Sequence, residues 1–313
     1  MKKRIALILA LSLLLSFTAC SKQPEETTPT PVDTSNYIPI IAGYGHTLAL
    51  TKDQKVLDMG FGNDGQRNVQ DWTDIIALGA GGYHSVGLKS DGTVVAVGAN
   101  GSGQCDVQDW KDITQIAVGC YHTAGLKKDG TVVIAAKLDD YHKNSEAANW
   151  TDIVYLGVGY YHTLGIKSDG TVVAAGYADQ GQCDVSDWTD MVAVQGGFDH
   201  TIGRKADGTF VATGNTEGGK CDISDWGKEI VAFSVAPNHT VGLKADGTVV
   251  VVGTGDYSQA DVADWKDIVA ISAGNSHLLG LTKEGKLLAV GDNIYGQCDV
   301  FRWTDLLVPT PNP

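Results

Sequence analysis

Tryptophan recurs along this chain on a fixed beat. Trp72, Trp110, Trp150, Trp188, Trp226, Trp265 and Trp303 are separated by 38, 40, 38, 38, 39 and 38 residues. Seven of the eight histidines keep the same rhythm: His46, His84, His122, His162, His200, His239 and His277. Self-similarity at a period of roughly 20–50 residues marks a repeat architecture, in which each unit buries its apolar face only against its neighbours. Every other reading of the chain has to accommodate that beat.

One unit, from Asp152 to Trp188, reads DIVYLGVGYYHTLGIKSDGTVVAAGYADQGQCDVSDW. It holds four short apolar runs between turn residues: strand A (DIVYLGVG), strand B (HTLGIK), strand C (TVVAAG) and strand D (QCDV). Each run reads as a β-strand. Past residue 20 no i, i+3, i+4 apolar pattern persists as a helix would need. Between B and C an Asp-Gly pair recurs, as in Asp91-Gly92 and Asp169-Gly170, and predicts a tight two-residue hairpin turn. The last unit keeps Glu284-Gly285, but the first has Asp53-Gln54, which predicts a costlier turn.

Seven such units predict an all-β fold, a seven-bladed β-propeller of four-stranded antiparallel blades over residues 38–308, with a short tail over 309–313. A propeller leaves no sheet edge to aggregate. An open solenoid would need atypical capping repeats, and the sequence has none. Thr304 to Val308 repeats the start of a strand A and is expected either beside the N-terminal strand near Ile38 to Ile41 or as a frayed end.

Gly-Tyr-His-Ser/Thr, then Gly-Leu-Lys-Ser-Asp-Gly-Thr-Val-Val-Ala-Val-Gly, then Gly-Gln-Cys-Asp resembles the regulator of chromosome condensation repeat. The resemblance covers about residues 38–305. The units here are shorter than the eukaryotic ones and carry Cys where Leu is usual after Gly-Gln, which makes the chain similar to the secreted bacterial branch. The resemblance implies a seven-bladed propeller. It also brings two family activities into view, nucleotide exchange on a small GTPase and inhibition of a β-lactamase.

The first residues constitute an address. Lys2, Lys3 and Arg4 precede an apolar stretch from Ile5 to Phe17, and Phe17-Thr18-Ala19-Cys20 closes it. Residues 1–19 are therefore expected to be a lipoprotein signal peptide, with Cys20 the lipidated residue that anchors the chain in a membrane. Residues 20–37 are polar and proline-bearing, a solvated tether reaching about 3 Å per residue. The expected location is outside the cytoplasm, attached to the cell membrane.

The whole chain carries 23 basic and 37 acidic residues. Three of the basic ones leave with the signal, so the mature chain has a net charge of −17. Such a surface repels phosphate backbones, which argues against nucleic acid; it either favours a basic partner or simply keeps a surface protein soluble, and charge alone does not decide between the two. Apart from Cys20 there are five cysteines, Cys105, Cys120, Cys183, Cys221 and Cys298, an odd number that does not suggest a disulfide framework.

The residues that define the repeat read as scaffold: histidine as a buried hydrogen-bonding group, tryptophan as packing between blades. A metal or catalytic site needs one asymmetric cluster, and a ring of equivalent residues does not provide it. No cofactor, metal or catalytic residue is expected. Function is expected where the units differ, on the rim carrying the A–B and C–D loops. The candidates there are Tyr44, Tyr83, Tyr121, Tyr160, Tyr161, Phe198 and Asp199. In the irregular third unit Asp139, Asp140, Tyr141 and His142 join them. Tyrosine mixed with Asn, Asp and Gly makes good contact surface. The expected function is a monomeric, cell-surface protein-binding module with an unknown partner. The alternatives are an inhibitor of a secreted or periplasmic enzyme, a nucleotide-exchange factor by family analogy alone, and an enzyme acting on polysaccharide or peptide. The export signal weighs against exchange on a cytoplasmic GTPase. Glycoside hydrolysis would need a carboxylate pair that the sequence does not display.

Overall fold

The structure is a computed structural model, and it describes residues 39–136, 144–255, 257 and 259–309. The expectations for the signal, Cys20 and the tether fall outside those residues, as do Asp139, Asp140, Tyr141 and His142.

The beat seen in the sequence becomes seven separate antiparallel sheets, one per repeat. In the second repeat the strands are Ile75–Ala80, His84–Lys89 and Val94–Gly98. The histidine-bearing strand lies in the middle and pairs with both others. The sheets are three-stranded, so the expectation of four-stranded blades is overturned. The Gln-Cys-Asp run carries buried Gln104 and Val107 but forms successive turns, Asp106 N–H donating to Gly103 O and Val107 N–H to Cys105 O. In the third, fifth and sixth repeats a 3-10 segment occupies the region instead: Asn144–Asn149, Glu217–Gly219 and Gln259–Val262. A run of four residues with its first and last positions buried tethers itself to the core without extending into a strand.

The hairpin between the second and third strands also differs from expectation. Gly92 N–H donates to Lys89 O, and Lys89 N–H donates to Thr93 O. The loop therefore holds three residues, Ser90 to Gly92, with Gly92 alone at positive φ (80°). That is a type I turn followed by a left-handed glycine. Asp91 tightens it by accepting from the Thr93 backbone and hydroxyl. In the first repeat Gln54 takes the glycine's place at φ 61°, the strained turn its sequence implied.

Adjacent sheets are joined by two recurring devices. The first is tryptophan on glycine: Trp110 faces Gly125 of the next repeat, and Trp265 faces Gly280. The second is a three-part clasp. His84 Nε2 meets Thr123 Oγ1 of the next repeat at 3.1 Å, and that hydroxyl donates to Gln104 O at 2.8 Å. His46 and Ser85, and His162 and Thr201, repeat it. Because the hydroxyl's one proton goes to the carbonyl, the histidine must donate Nε2–H, and burial keeps the ring neutral. It holds His46, His84 and His162 down to about 3 and His277 to about 4. At the sixth repeat the seventh offers Leu278 in place of the hydroxyl, and His239 donates to Tyr257 O and stacks on its ring.

The last and first repeats meet by the same clasp, His277 with Thr47 and Thr47 with Gln297 O. No shared ladder of strands closes the ring. The first strand of the first sheet is assembled from both ends of the propeller. Ile40–Ala42 pairs with Thr47 to Ala49, and Leu306 bridges Thr51. Lys52 N–H donates to Asp305 O, and Asp305 has φ 57°, as Asp74 (φ 62°) does when it accepts from Ser90 in the second repeat. Of the two expectations for Thr304 to Val308, the docked one holds.

Candidate interaction rim

The first strands of the sheets face one another around a central cavity of about 510 Å³. Its mouth is formed by the two-residue loops that lead from first to middle strand. Several of these loops are pinned to the next: Tyr44 N–H donates to Gly81 O, Gly82 N–H to Cys120 O, Cys120 N–H to Tyr160 O, and Tyr160 N–H to Gly197 O. The last is pinned to the first, Asn275 N–H to Gly43 O. Glycine before the loop is forced by space. A Cβ on Gly81 would stand 2.3 Å from the His84 ring and 2.5 Å from Gly119 O.

With the backbone held, loop side chains project around the mouth and form two aromatic groups. In the first, Tyr44 contacts Tyr83 (5.5 Å between centroids), Phe61 contacts Tyr83 (6.0 Å), and Phe61 contacts Tyr295 (4.9 Å). In the second, Tyr161 is the hub: it stacks on Tyr121 at 5.9 Å and meets Phe198 edge-on at 5.3 Å. Tyr160 and Tyr177 complete that group. Such tilted and edge-to-face contacts favour rings beyond their burial. Tyr44, Tyr121, Phe198 and Tyr295 nonetheless keep 38–51% of their surface in solvent.

Tyr160 is half-buried. It hydrogen-bonds across the mouth from the fourth repeat to Asn275 Oδ1 in the seventh, at 2.9 Å. Burial raises its phenol above the ordinary range, so it stays a donor. Burial and the neighbouring Tyr44 also raise Tyr83.

Asp199 plays a different part from its neighbours. Its Oδ1 takes the buried Lys220 at 2.6 Å, and its Oδ2 accepts from Asn215 at 2.9 Å. Lys220 occupies the place of Gln66, Gln104, Gln182 and Gln297 in other repeats. Asp199 therefore supports the rim from beneath. Three rings of the rim went unremarked in the sequence or carried no weight there: Phe61, Tyr177 and Tyr295. Register supplied the missing signal for two of them, since the residue after the third strand bonds back to the loop, Tyr177 N–H to Tyr161 O and Phe61 N–H to Gly45 O.

The thiols are engaged in packing. Burial pushes Cys105, Cys221 and Cys298 up to about 11 and Cys183 up to about 12. The sulfurs of Cys105, Cys183 and Cys298 each approach a backbone carbonyl six residues earlier at 3.3–3.4 Å. Cys120 is buried beneath the loop ring and also pushed up to about 11. Among the described residues no three His, Cys, Asp or Glu side chains converge as a metal site.

Three segments, 75–104, 153–182 and 268–297, match the Regulator of chromosome condensation (RCC1) repeat. In fold the chain is similar to several solved structures. The ectodomain of the receptor kinase CR4 from Physcomitrella patens shares 15% identity at a TM-score of 0.67, over 81% of this chain and 73% of that one. The CRINKLY WD40 ectodomain of the Arabidopsis thaliana receptor kinase ACR4 shares 17% at 0.63, over 82% and 96%. Prp20p from Saccharomyces cerevisiae, described with its binding to Gsp1p and histones, shares 15% at 0.59, over 76% of each chain. No curated protein sequence matches the chain.

Proposed function

We propose that this propeller is a protein-binding module, exported, lipid-anchored through Cys20 and presenting the aromatic rim to its partner. The observation that carries the reading is the pair of aromatic groups around one mouth of the cavity, partly exposed yet fixed by ring-to-ring contacts. Rigid aromatic anchors cost little entropy to order and dominate many interfaces. Prp20p, of like fold, is a protein that binds other proteins.

The described chain begins on one rim of the propeller. Pro39 O accepts from Leu50 N–H, at the end of a middle strand and beside the Lys52-Asp53 turn. That is the rim opposite the aromatic groups.

The reading is non-enzymatic. The recurring His and Thr groups are engaged in clasps, and the thiols are raised and packed. The test is a surface cross-linking pull-down with the wild type and with Tyr83→Ala/Tyr121→Ala/Tyr161→Ala. The partner should be lost from the variant while its circular dichroism and melting remain those of a folded propeller. A partner retained by the folded variant would overturn the assignment to this rim.

A further inference from the structure

Charge is divided unevenly between the two rims. The connections that follow the third strands carry exposed Asp64, Asp106, Asp179, Glu217, Asp222 and Asp299. Among the described residues of this rim the only Lys or Arg are Arg67 and Lys220. Arg67 is ion-paired with Asp58, and Lys220 with Asp199. The turns of the opposite rim are mixed: Lys89 with Asp91, Lys127 and Lys128 with Asp129, Lys167 with Asp169. Among the described residues the aromatic rim thus carries exposed carboxylates, and its two basic side chains are both ion-paired.

Carboxylates also stand beside each aromatic group. The Asp64 charge is among those that raise the Tyr83 phenol, and Asp179 is two residues beyond Tyr177, which packs on Tyr161. An exposed ring face attracts a cation through its quadrupole, by about 0.5–1 kcal/mol at exposed sites. It also covers the methylene stem of a long cationic side chain. A carboxylate at the ring's margin then receives the charged end.

We propose that the rim's partner presents a cationic segment, lysine and arginine side chains laid over the tyrosines with their charged ends on Asp64, Asp179 and Glu217. This rests on the rim reading above and specifies the partner it takes. The complementary potentials steer encounter and make association fall with salt.

The probe is a fluorescein-labelled alternating Lys-Gly peptide, with a Glu-Gly peptide as its counterpart, followed by anisotropy against the folded propeller. The Lys-Gly peptide should bind and the Glu-Gly peptide should not. Asp64→Asn/Asp179→Asn/Glu217→Gln should weaken the Lys-Gly peptide about tenfold, equivalent to about 1.4 kcal/mol. Asp71→Asn/Asp187→Asn/Asp225→Asn on the opposite rim removes the same charge and should leave binding unchanged. Equal weakening by the two variants would mean unspecific attraction to an acidic protein and would overturn the proposal, as would absence of binding. If the tyrosine variant loses its cross-linked partner but the Lys-Gly peptide does not bind, the cationic proposal fails and the rim assignment stands. If the tyrosine variant keeps its partner, both fail.

Discussion

His84 of the second repeat and Thr123 of the third lie 3.1 Å apart, and only the histidine has a proton to give. Thr123 commits its own to Gln104 O at 2.8 Å. The contact that joins two blades therefore requires an imidazole Nε2–H on one side and a hydroxyl on the other, and burial keeps that imidazole neutral.

Acid should undo this arrangement. The folded protein holds His46, His84 and His162 near 3 and His200 and His277 near 4, against an ordinary 6.5. Between those values the unfolded chain binds protons that the folded chain does not, so stability rises with pH. The contribution is fully present above about pH 6.5 and is lost as pH falls toward 3–4, by up to about 1.4 kcal/mol per histidine per pH unit. Thermal melts between pH 7 and pH 4.5 should show a steep decline. A flat profile would mean that the rings are protonated in the fold.

Gly280→Ala should destabilise the seventh sheet. An added Cβ would stand 2.4 Å from Trp265 Cζ3, inside a core with no free volume on that side. Overpacking of this kind costs about 1–3 kcal/mol, read from urea midpoints. The first repeat carries buried Ala49 at the equivalent place, in the cluster with Trp303, so that junction is already built for a methyl group.

Gln54→Gly should do the opposite. Gln54 sits at φ 61° where six other repeats place glycine at φ 79–89°. A left-handed non-glycine costs about 1–2 kcal/mol. Part of the relief is returned as unfolded-chain entropy, leaving a net gain of about 0.5–1 kcal/mol in urea unfolding.

Lys220→Met should be severe, since it leaves Asp199, 14% exposed, with its charge uncompensated. Breaking such a pair costs about 3–5 kcal/mol. Asp199→Asn/Lys220→Gln restores the glutamine of the other repeats and should recover most of the loss. Failure of the double variant to recover would show that more than charge holds this loop.

Leu306→Ala should cost about 2–5 kcal/mol although it lies near the end of the chain, because Leu306 is 1% exposed in the cluster with Ile40 and Val300. Calorimetry would separate this from a frayed terminus, where the substitution would have no effect.

The repeat count, the three strands of each unit and the scaffold roles of His and Trp were legible because they recur: seven copies of one pattern average away local accident. The fourth run misled because Gln104 and Val107 are buried as strand residues would be, and burial alone does not distinguish a strand from a turn. The Asp-Gly turn misled by one residue, since the pair does not disclose whether Asp also takes positive φ. The tyrosines were legible as breaks in the pattern, but their two contact groups were not. Tyr160 reaching Asn275 joins residues 115 apart in sequence, a relationship fixed by the ring's diameter. The pairing of Asp199 with buried Lys220 was not legible either, since it joins residues 21 apart.

The first sheet, built from Ile40–Ala42 at one terminus and Leu306 at the other, imposes an order of assembly. A chain emerging N-terminus first must keep its opening hairpin incomplete until residue 306 arrives, some 255 positions after Thr51. Bringing those ends together across a flexible loop of that length costs about 5 kcal/mol beyond the constant term, if nothing between them has folded. The intervening blades shorten the search as they stack, so the seam should be the last junction to form and the first place to which a misfolding chain is committed.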